Sequence, residues 1–288
     1  MSIIDFNTYA QRIGSDSNVQ FMLPVIEKEL LHYEIVNALE EKGLLSELVF
    51  QGGTCLRLCY GAVRFSEDLD FAGGVDFDAD KLDELSNCIR LALPQRYSIE
   101  VDVKEPIEDG TLIKKWIIRI KTNPQRSDLP IQKISFEVAS IPAYTKQPRM
   151  LHLNYNGLPS TFADIIVFAE SLEEILADKL EAFVCSNHIR YRDIWDMYWI
   201  MRQPGVDVEA AYALREKKER DYREAGKFKS GLVRITEQLD LIINGKEFNA
   251  QMKRFLPADQ HEKTIGRKEF RMLLSANIKK LYEVYTTR

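Results

Sequence analysis

Two adjacent glycines, Gly52 and Gly53, separate a short apolar run from a helical pattern, and this junction constrains the fold more than any other feature of the chain. The run Leu48-Val49-Phe50 predicts a short buried strand, and residues 54–60 predict a helix whose N-terminus lies at the glycines. A helix N-terminus of this kind offers unpaired backbone N–H groups to an anion. The junction therefore predicts a pocket of the size of a phosphate group.

A second motif, Asp68-Leu69-Asp70, lies within a predicted strand over residues 66–71. Because side chains alternate along a strand, Asp68 and Asp70 share one face while Leu69 and Phe71 point into the core. Two neighbouring carboxylates repel each other, so a divalent cation is their natural partner. Either motif alone is more typical of a tight turn or a solvated strand face. Together they predict a metal-dependent nucleotide-transfer site.

The composition is that of an ordinary globular protein, with 288 residues of which 45% are hydrophobic and 29% charged. This length allows one large or two modest domains. No run approaches the ~20 apolar residues needed to span a bilayer, and no signal-peptide pattern opens the chain, so we expect a soluble, cytoplasmic protein without a membrane partner. The four cysteines and four histidines follow neither a zinc-site nor a disulfide pattern.

Charge is distributed unevenly along the chain. Residues 1–206 carry 21 Lys and Arg against 31 Asp and Glu, whereas residues 207–288 carry 18 against 13. A basic C-terminal region could bind a polyanion such as nucleic acid. The alternative is a solvated helical surface with ordinary ion pairs between successive turns.

Helical and strand patterns alternate over the first 170 residues. Amphipathic spacing predicts helices over residues 18–43, with Gly43 as the stop, and over residues 80–93, ended by Pro94. Further strands, the last two with weaker patterns, are predicted at residues 97–104, 112–121, 132–139, 149–154 and 165–169. Beyond residue 170 the pattern is helical, with breaks predicted at Pro204-Gly205, Gly226, Gly231, Gly245 and Pro257. We expect two domains, 1–170 and 171–288, with the helical one packed on the active site.

Glu137 is a candidate third carboxylate, because it lies on the polar face of the strand over residues 132–139 with apolar residues on both sides. In two-metal phosphoryl transfer, acidic side chains hold two cations, and Glu137 would complete the set formed by Asp68 and Asp70. An exposed strand carboxylate without a catalytic role is the alternative.

Charged residues also interrupt the apolar faces of two predicted helices. Lys179 lies in the apolar arc of a helix that begins with the capping-box residues Ser171 and Glu174. It could bind a nucleotide phosphate, or extend along the apolar stripe to reach water. Asp193 lies in the apolar arc of the next helix, with Asp196 at its edge.

A buried aspartate must be paired or coordinated, so Asp193 could orient Lys179 or an arginine, or take a direct catalytic role. The alternative is a structural ion pair with Arg190 or Arg192.

Four motifs together carry a resemblance to a known family. They are Gly52-Gly53-Thr54-x-Leu56, Arg64-x-Ser66-x-Asp68-Leu69-Asp70-Phe71, Leu172-Glu173-Glu174-Ile175 leading to Lys179, and Arg192-Asp193-x-x-Asp196. In these motifs, over about residues 48–200, the chain resembles the AbiEii/AbiGii-type abortive-infection toxins, which are the nucleotidyltransferase components of type IV toxin–antitoxin systems. Ser66 and Arg192 stand where Thr and Lys are common in the family.

This resemblance implies an α+β class, with a nucleotidyltransferase (polymerase-beta-like) fold built on a mixed β-sheet and a helical C-terminal domain. It also implies use of a nucleoside triphosphate with Mg²⁺, in a two-ion site that could take Mn²⁺, and a cognate antitoxin. In some relatives the acceptor is tRNA, and the systems act in phage defence.

The resemblance also implies roles for particular residues. By it Asp68 and Asp70 bind metal and act in catalysis, Lys179 contacts the triphosphate, and Asp193 belongs to the catalytic set. The remaining motif residues are assigned to substrate binding, and these are Gly52, Gly53, Thr54, Arg64, Ser66 and Asp196. Glu137 as a metal ligand is predicted from strand alternation alone.

The leading hypothesis is an enzyme that transfers a nucleotidyl group from a nucleoside triphosphate to an RNA, at a tRNA 3′ end, with release of pyrophosphate. Two alternatives stay open. One keeps the same site but uses a small molecule or a protein as acceptor. The other is a catalytically silent, nucleotide-binding regulatory module.

Overall fold

A computed structural model of the chain describes residues 4–16, 22–107, 110–126, 128–223 and 226–286. It divides into two compact units, residues 1–170 and residues 171–288.

The first unit combines helices with a β-sheet. Its α-helices are α1 (Phe6–Asp16), α2 (Leu23–Glu41), α3 (Gly52–Tyr60) and α4 (Leu85–Arg96). Its strands are β1 (Val49–Gln51), β2 (Leu69–Ala72), β3 (Glu100–Lys104), β4 (Ile113–Lys121), β5 (Gln132–Ala139), β6 (Gln147–Met150) and β7 (Ile166–Ala169). Short 3₁₀ segments cover Ala79–Leu82 and Ser160–Asp164.

Over the residues that the structure describes, seven strands form one mixed sheet in the order β3-β4-β5-β2-β1-β7-β6. β2 runs parallel to β5 and antiparallel to β1, while β3, β4 and β5 are successively antiparallel. The strands predicted over residues 97–104, 112–121 and 132–139 are therefore neighbours, as expected. The predicted α+β class with a mixed sheet is confirmed.

An aromatic stack on one face of the sheet sets the register of the central strands. The rings of Phe50 and Phe71 lie 4.8 Å apart, Phe71 and Phe136 also lie 4.8 Å apart, and Trp116 meets Phe136 edge-on. All four side chains are almost fully buried. Because a slip of one residue would exchange the two faces of a strand, this core directs the intervening polar residues to the opposite face.

Those polar residues form one row across four strands. Lys115 on β4 is the register partner of Glu137 on β5, Glu137 that of Asp70 on β2, and Asp70 that of Gln51 on β1. Side chains of register partners point to the same face of a sheet. The row ends at Gln51, directly before the glycines where α3 begins.

Two helix predictions in the first unit need correction. The helix predicted over residues 80–93 is a 3₁₀ segment followed by α4, and Pro94 lies inside α4 instead of ending it. Pro94 lies in the last turn, and the N–H of Tyr97 still bonds the carbonyl of Leu93 at 3.0 Å, which closes that turn beyond the proline. The helix predicted over residues 18–43 begins at Leu23, and its residues 18–21 lie outside the described residues.

Gly43 is the predicted stop for that helix, and the structure agrees. It has a left-handed φ of +71° directly after the C-cap residue Lys42, a conformation that favours glycine. The weak strand predicted over residues 149–154 is displaced toward the N-terminus and runs over Gln147–Met150.

In the second unit, the described residues form helices without a strand. The helices are α5 (Leu172–Cys185), α6 (Tyr191–Met201), α7 (Val208–Asp221), α8 (Lys227–Asn244), α9 (Lys246–Phe255), α10 (Ala258–Lys263) and α11 (Lys268–Thr286). The predicted helical character of this region is confirmed. Among the helices described in either unit, none is both long enough and apolar enough to cross a membrane.

Gly231 does not break a helix, contrary to the prediction, but lies within α8. A Cβ atom at this position would lie 2.3 Å from the backbone carbonyl oxygen of Val184 on α5. Gly231 therefore allows α8 to approach the backbone of α5 closely, and helix packing outweighs the low helix propensity of glycine.

Candidate active site

The junction between β1 and α3 brings the two glycines against charged side chains. Gly52 has a left-handed φ of +75°, and a Cβ atom there would lie 2.7 Å from Asp70 Oδ2. A Cβ atom on Gly53 would lie 2.5 Å from Arg64 Nη2 and 2.9 Å from Ser66 Oγ. Any side chain at either position would therefore displace these groups. The N-terminus of α3 is bordered by a carboxylate on one side and a guanidinium on the other.

Helix α3 is held in place by buried polar contacts on its inner side. Thr54 is buried, and its hydroxyl donates a hydrogen bond to the backbone carbonyl of Asp68. Arg57 Nε donates to Glu29 Oε1 on α2 at 3.0 Å, and the hydroxyl of Tyr155 donates to Glu29 Oε2 at 2.8 Å. These contacts connect the glycine junction to the entry of β2 and to α2. Thr54, which the family resemblance assigns to substrate binding, thus links the two motifs through its hydroxyl.

The three predicted metal ligands are half-buried and lie on or next to neighbouring strands. Asp68 Oδ1 accepts a hydrogen bond from the backbone N–H of Ser135 at 3.3 Å. Glu137 Oε1 lies 2.5 Å from Lys115 Nζ. Within the described parts of the chain, no three His, Cys, Asp or Glu side chains are arranged to hold a metal ion. Glu137 thus forms an ion pair with Lys115, and its role as a metal ligand stays a prediction.

The charge of Lys115 is favoured by its surroundings. Partial burial, the largest single effect, lowers the pKa of this ammonium, but the Glu137 carboxylate together with Asp68 and Asp70 outweighs it, so the net pKa is raised. Lys115 therefore stays protonated beside three carboxylates.

Lys179 and the two predicted aspartates form a buried ion cluster in the second unit. Lys179 Nζ lies 2.9 Å from Asp193 Oδ1 and 2.8 Å from Asp196 Oδ2, and each of the three side chains is at most 7% exposed. Arg190 Nε donates to Asp193 Oδ2 from the solvent side. The prediction that a buried aspartate must be paired is confirmed, and both expected partners, the lysine and an arginine, are present.

The electrostatics of this cluster favour the ionised form of Asp193. Burial, the largest single effect, raises the pKa of the Asp193 carboxyl, but Lys179 and Arg190 outweigh it and lower the pKa well below its usual value. The helix that carries Lys179 begins as predicted, because Ser171 Oγ accepts the Glu174 N–H at 3.3 Å. Arg192 stacks over the Phe255 ring at 4.9 Å.

The predicted site residues fall into two groups, each assembled within its own unit. The group in the first unit comprises Gly52, Gly53, Thr54, Arg64, Ser66, Asp68, Asp70 and Glu137. The group in the second unit comprises Lys179, Asp193 and Asp196.

Sequence analysis missed two polar residues of the cross-strand row, Lys115 and Gln51. Gln51 directly precedes the glycines, and this adjacency was a usable signal. Its Oε1 atom is buried and has no hydrogen-bond partner among the described residues. Lys115 could not be found without the register of β4 against β5, since nothing in its local pattern distinguishes it from the other lysines of that strand.

Two solved structures from Helicobacter pylori are similar to this chain. The crystal structure of JHP933 shares 19% identity with a TM-score of 0.47, and the match covers 91% of this chain and 97% of that one. A crystal structure described as a putative nucleotidyltransferase shares 19% identity with a TM-score of 0.46, covering 88% and 98%. No curated protein matches the chain.

Residues 34–276 match the family described as "Nucleotidyl transferase AbiEii toxin, Type IV TA system". The match includes the glycine junction, the Asp68–Asp70 motif and the Lys179 cluster. Because it spans most of the 288 residues, the chain belongs to the AbiEii family of nucleotidyl transferase toxins of type IV toxin–antitoxin systems.

Proposed function

We propose that this protein transfers a nucleotidyl group from a nucleoside triphosphate to an RNA acceptor, the 3′ end of a tRNA, with release of pyrophosphate. The reaction depends on Mg²⁺, for which Mn²⁺ can substitute. It takes place in the cytoplasm, and there the modified tRNA stops translation during phage infection until the cognate antitoxin counteracts the toxin.

The observation that carries this proposal is the close approach of the glycine junction to both charges of the site. Gly52 lies against Asp70, and Gly53 against Arg64 and Ser66. Backbone N–H groups at the start of α3 bind a phosphate, and the adjacent guanidinium is suited to the same anion. The neighbouring carboxylate repels an uncompensated phosphate, which explains why a divalent cation is needed.

The residues of the first unit fit Mg²⁺, whose preferred ligands are carboxylate and carbonyl oxygens. Asp68 and Asp70 would hold the cation, and the buried, unpartnered Oε1 of Gln51 supplies a further oxygen in the same row. When bound, the cation neutralises charge on the triphosphate and activates the attacking hydroxyl.

The other side chains of the site hold the charged groups in position. Thr54 bonds the carbonyl of Asp68 and so keeps this carboxylate in register with α3. Following the family motifs, Lys179 is assigned to a nucleotide phosphate, and Asp193 and Asp196 hold its ammonium group through the contacts described above.

The test is incubation of the full-length protein with Mg²⁺, total cellular RNA and each of the four α-labelled nucleoside triphosphates in turn, followed by a denaturing gel. We expect a labelled band of tRNA size with at least one nucleotide. The variant Asp68→Asn/Asp70→Asn should lose at least about 100-fold in labelling, since both carboxylates would hold the cation that stabilises charge on the reacting phosphates. The exposed Asp76→Asn is the matched control and should label normally.

Each contrary outcome identifies an alternative. Pyrophosphate release without labelled RNA would indicate a small-molecule or protein acceptor. Binding of nucleotide and Mg²⁺ without pyrophosphate release would indicate a regulatory module. Labelling that persists in the double variant would exclude the two aspartates as the catalytic pair.

A further inference from the structure

We propose that the polar face of β4 and β5 binds the sugar–phosphate backbone of the RNA acceptor, with Arg119 and Lys133 contacting one of its phosphate groups. This binding rests on the proposed function, since it concerns the acceptor of the same reaction. It is nevertheless measured as RNA affinity, independently of any transfer of a nucleotide.

Arg119 and Lys133 bring two positive charges together across the sheet. They are register partners on β4 and β5, and both are exposed, Arg119 with 52% of its side chain. The Cβ atoms of such partners lie about 5 Å apart on one face, and like charges in this position destabilise the pairing. Asp102 Oδ2 on β3 lies 3.8 Å from Arg119 Nη1, while Lys133 forms no ion pair with a described residue. The two cations therefore carry an excess charge that an anion would compensate.

Two ordinary reasons for cations on a sheet surface do not account for this pair. A cross-strand ion pair sets a carboxylate opposite a cation, as Glu100 and Lys121 do at 2.7 Å on β3 and β4. Lysines also protect exposed sheet edges from pairing with another chain. In the described sheet, however, β4 and β5 are inner strands, with β3 outside them. An anionic ligand accounts for the pair.

The pair lies on the same face as the proposed metal site. Lys133, Ser135 and Glu137 alternate along β5, so they share the polar face of the sheet. The backbone N–H of Ser135 bonds Asp68 Oδ1 at 3.3 Å. Lys133 precedes Ser135 by two residues, which is about 7 Å along a strand. A phosphate bound by Arg119 and Lys133 would thus lie near Asp68, as the backbone of an acceptor must when its end reaches the reacting phosphate.

The position between the pair and the proposed metal site also suits a nucleic acid strand. Ile117 on β4 is half-buried and lies between Lys104 on β3 and Ser135 on β5 in the register of the sheet. A ribose or a base can pack on this apolar side chain. The planar guanidinium of an arginine matches two phosphate oxygens, and a lysine binds phosphate as a point charge. Contacts of this kind hold the strand without reading its sequence.

The test is fluorescence anisotropy of 5′-labelled bulk tRNA with the full-length protein at several NaCl concentrations, without a nucleoside triphosphate. We expect Arg119→Gln/Lys133→Gln to weaken binding about 10-fold and to reduce the slope of log K against log salt by about 1.5, because two phosphate contacts are lost. Lys42→Gln/Lys81→Gln is the matched control. It removes the same charge from exposed positions outside the sheet and should bind as the wild type does.

Urea unfolding separates the effect on binding from an effect on folding. Lys133→Gln removes one of two like charges that face each other, so its unfolding midpoint should be unchanged or raised. Lys133→Glu sets a carboxylate opposite Arg119 and should raise the midpoint, yet it should weaken tRNA binding more than Lys133→Gln. A lower midpoint for Lys133→Glu would overturn the inference, because Arg119 would then lack an uncompensated neighbour.

The RNA-labelling assay identifies which substrate the pair binds. Arg119→Gln/Lys133→Gln should raise the KM for tRNA about 10-fold and leave kcat and the KM for the nucleotide unchanged, since only acceptor binding is lost. A raised nucleotide KM with unchanged tRNA binding would assign the pair to the triphosphate and overturn the inference.

The two assays also distinguish failure of this inference from failure of the proposed function. Labelled RNA together with unchanged tRNA affinity of the double variant, or an equal loss in the control, would overturn the inference and leave the function standing. The expected loss of affinity without any labelled RNA would support this surface and contradict the transfer reaction. A wild-type protein that binds no tRNA would overturn both.

Discussion

The carboxylate of Asp70 lies directly against the α-carbon of Gly52, so close that a Cβ atom there would be 2.7 Å from Asp70 Oδ2. Gly52 also has a left-handed φ of +75°. Two separate requirements, the backbone conformation and the space for the carboxylate, therefore select glycine at this position. A second glycine, Gly43, has nearly the same φ of +71° but nothing within 4 Å of its Cβ position.

A comparison of alanine variants at Gly52 and Gly43 separates the effect of backbone strain from the effect of the contact with Asp70. Gly52→Ala should lose about 1–2 kcal/mol of unfolding free energy through its φ and about 100-fold in transfer rate, because displacing a reacting group by about 1 Å has an effect of that size. Gly43→Ala should lose similar stability and keep its activity. Urea unfolding and the RNA-labelling assay measure the two effects. Equal activities of the two variants would show that the Gly52–Asp70 contact is irrelevant to transfer.

The Lys179 cluster should respond strongly to removal of its cation. Lys179→Met removes the ammonium group that contacts both buried carboxylates, and we expect a loss of about 3–5 kcal/mol in unfolding free energy. The loss should be smaller when Asp196→Asn is added, because one of the two carboxylates that lost the ammonium group then carries no charge. The matched control is Lys263→Met, which breaks an exposed pair with Asp259 and should change stability by less than about 1 kcal/mol. Additive losses in the double variant would argue against a coupled cluster.

Protonation of His32 should destabilise the first unit. The ring is 1% exposed, and its Nε2 bonds the backbone carbonyl of Glu67 at 3.0 Å, next to Asp68. Burial lowers the pKa of His32 from 6.5 to about 4. Because the folded pKa lies below the unfolded one, the histidine contributes no destabilisation above about pH 6.5, and stability is lost as the pH falls toward 4.

Between pH 7.5 and 5 this loss should reach about 2 kcal/mol, as measured by urea unfolding at each pH. Because other groups also titrate in this range, the quantity to compare is the pH dependence of the unfolding free energy in the wild-type protein and in two histidine variants. His32→Gln should reduce the pH dependence by this amount, while the exposed His188→Gln should leave it unchanged. The same slope in all three proteins would contradict the prediction.

Gly231 should tolerate no side chain. In an exposed helix Gly→Ala gains about 1 kcal/mol, but here the new Cβ would lie 2.3 Å from the carbonyl oxygen of Val184, a backbone atom that cannot rotate away. We expect Gly231→Ala to lose about 1–3 kcal/mol overall through overpacking. Ser230→Ala, at the exposed position just before it, is the control and should change thermal stability little. A Gly231→Ala variant more stable than the wild-type protein would show that α5 and α8 lie farther apart than the structure has them.

Local patterns were sufficient for several elements of the fold and for the burial of several charged or polar residues. Strand alternation put Leu69 and Phe71 in the core and left Asp70 on the polar face. The capping box set the start of α5 at Ser171, and Asp193 inside the apolar arc of α6 predicted a paired or coordinated carboxylate. Each of these inferences used residues within about two helical turns, where side-chain directions follow from the period of the element.

Predictions that depended on distant contacts were less successful. Pro94 and Gly231 are helix breakers by local propensity, but both lie inside helices. At Gly231 the deciding factor is the backbone of α5, which is 47 residues away in sequence at Val184. Glu137 was correctly placed on a strand but was not recognised as the partner of Lys115, because their pairing requires the register between two separate strands.

The sequence by itself determined the class of the fold, the glycine junction with its two aspartates, the buried charges of α5 and α6, and the family resemblance. These features are local in the chain, and their physical basis lies in the periods of helix and strand. Only the tertiary structure decided which polar residues meet: Asp70 against Gly52, Lys115 against Glu137, and Lys179 between Asp193 and Asp196. Such contacts depend on strand register and on helix packing, which hydrophobic burial sets over the whole of each unit.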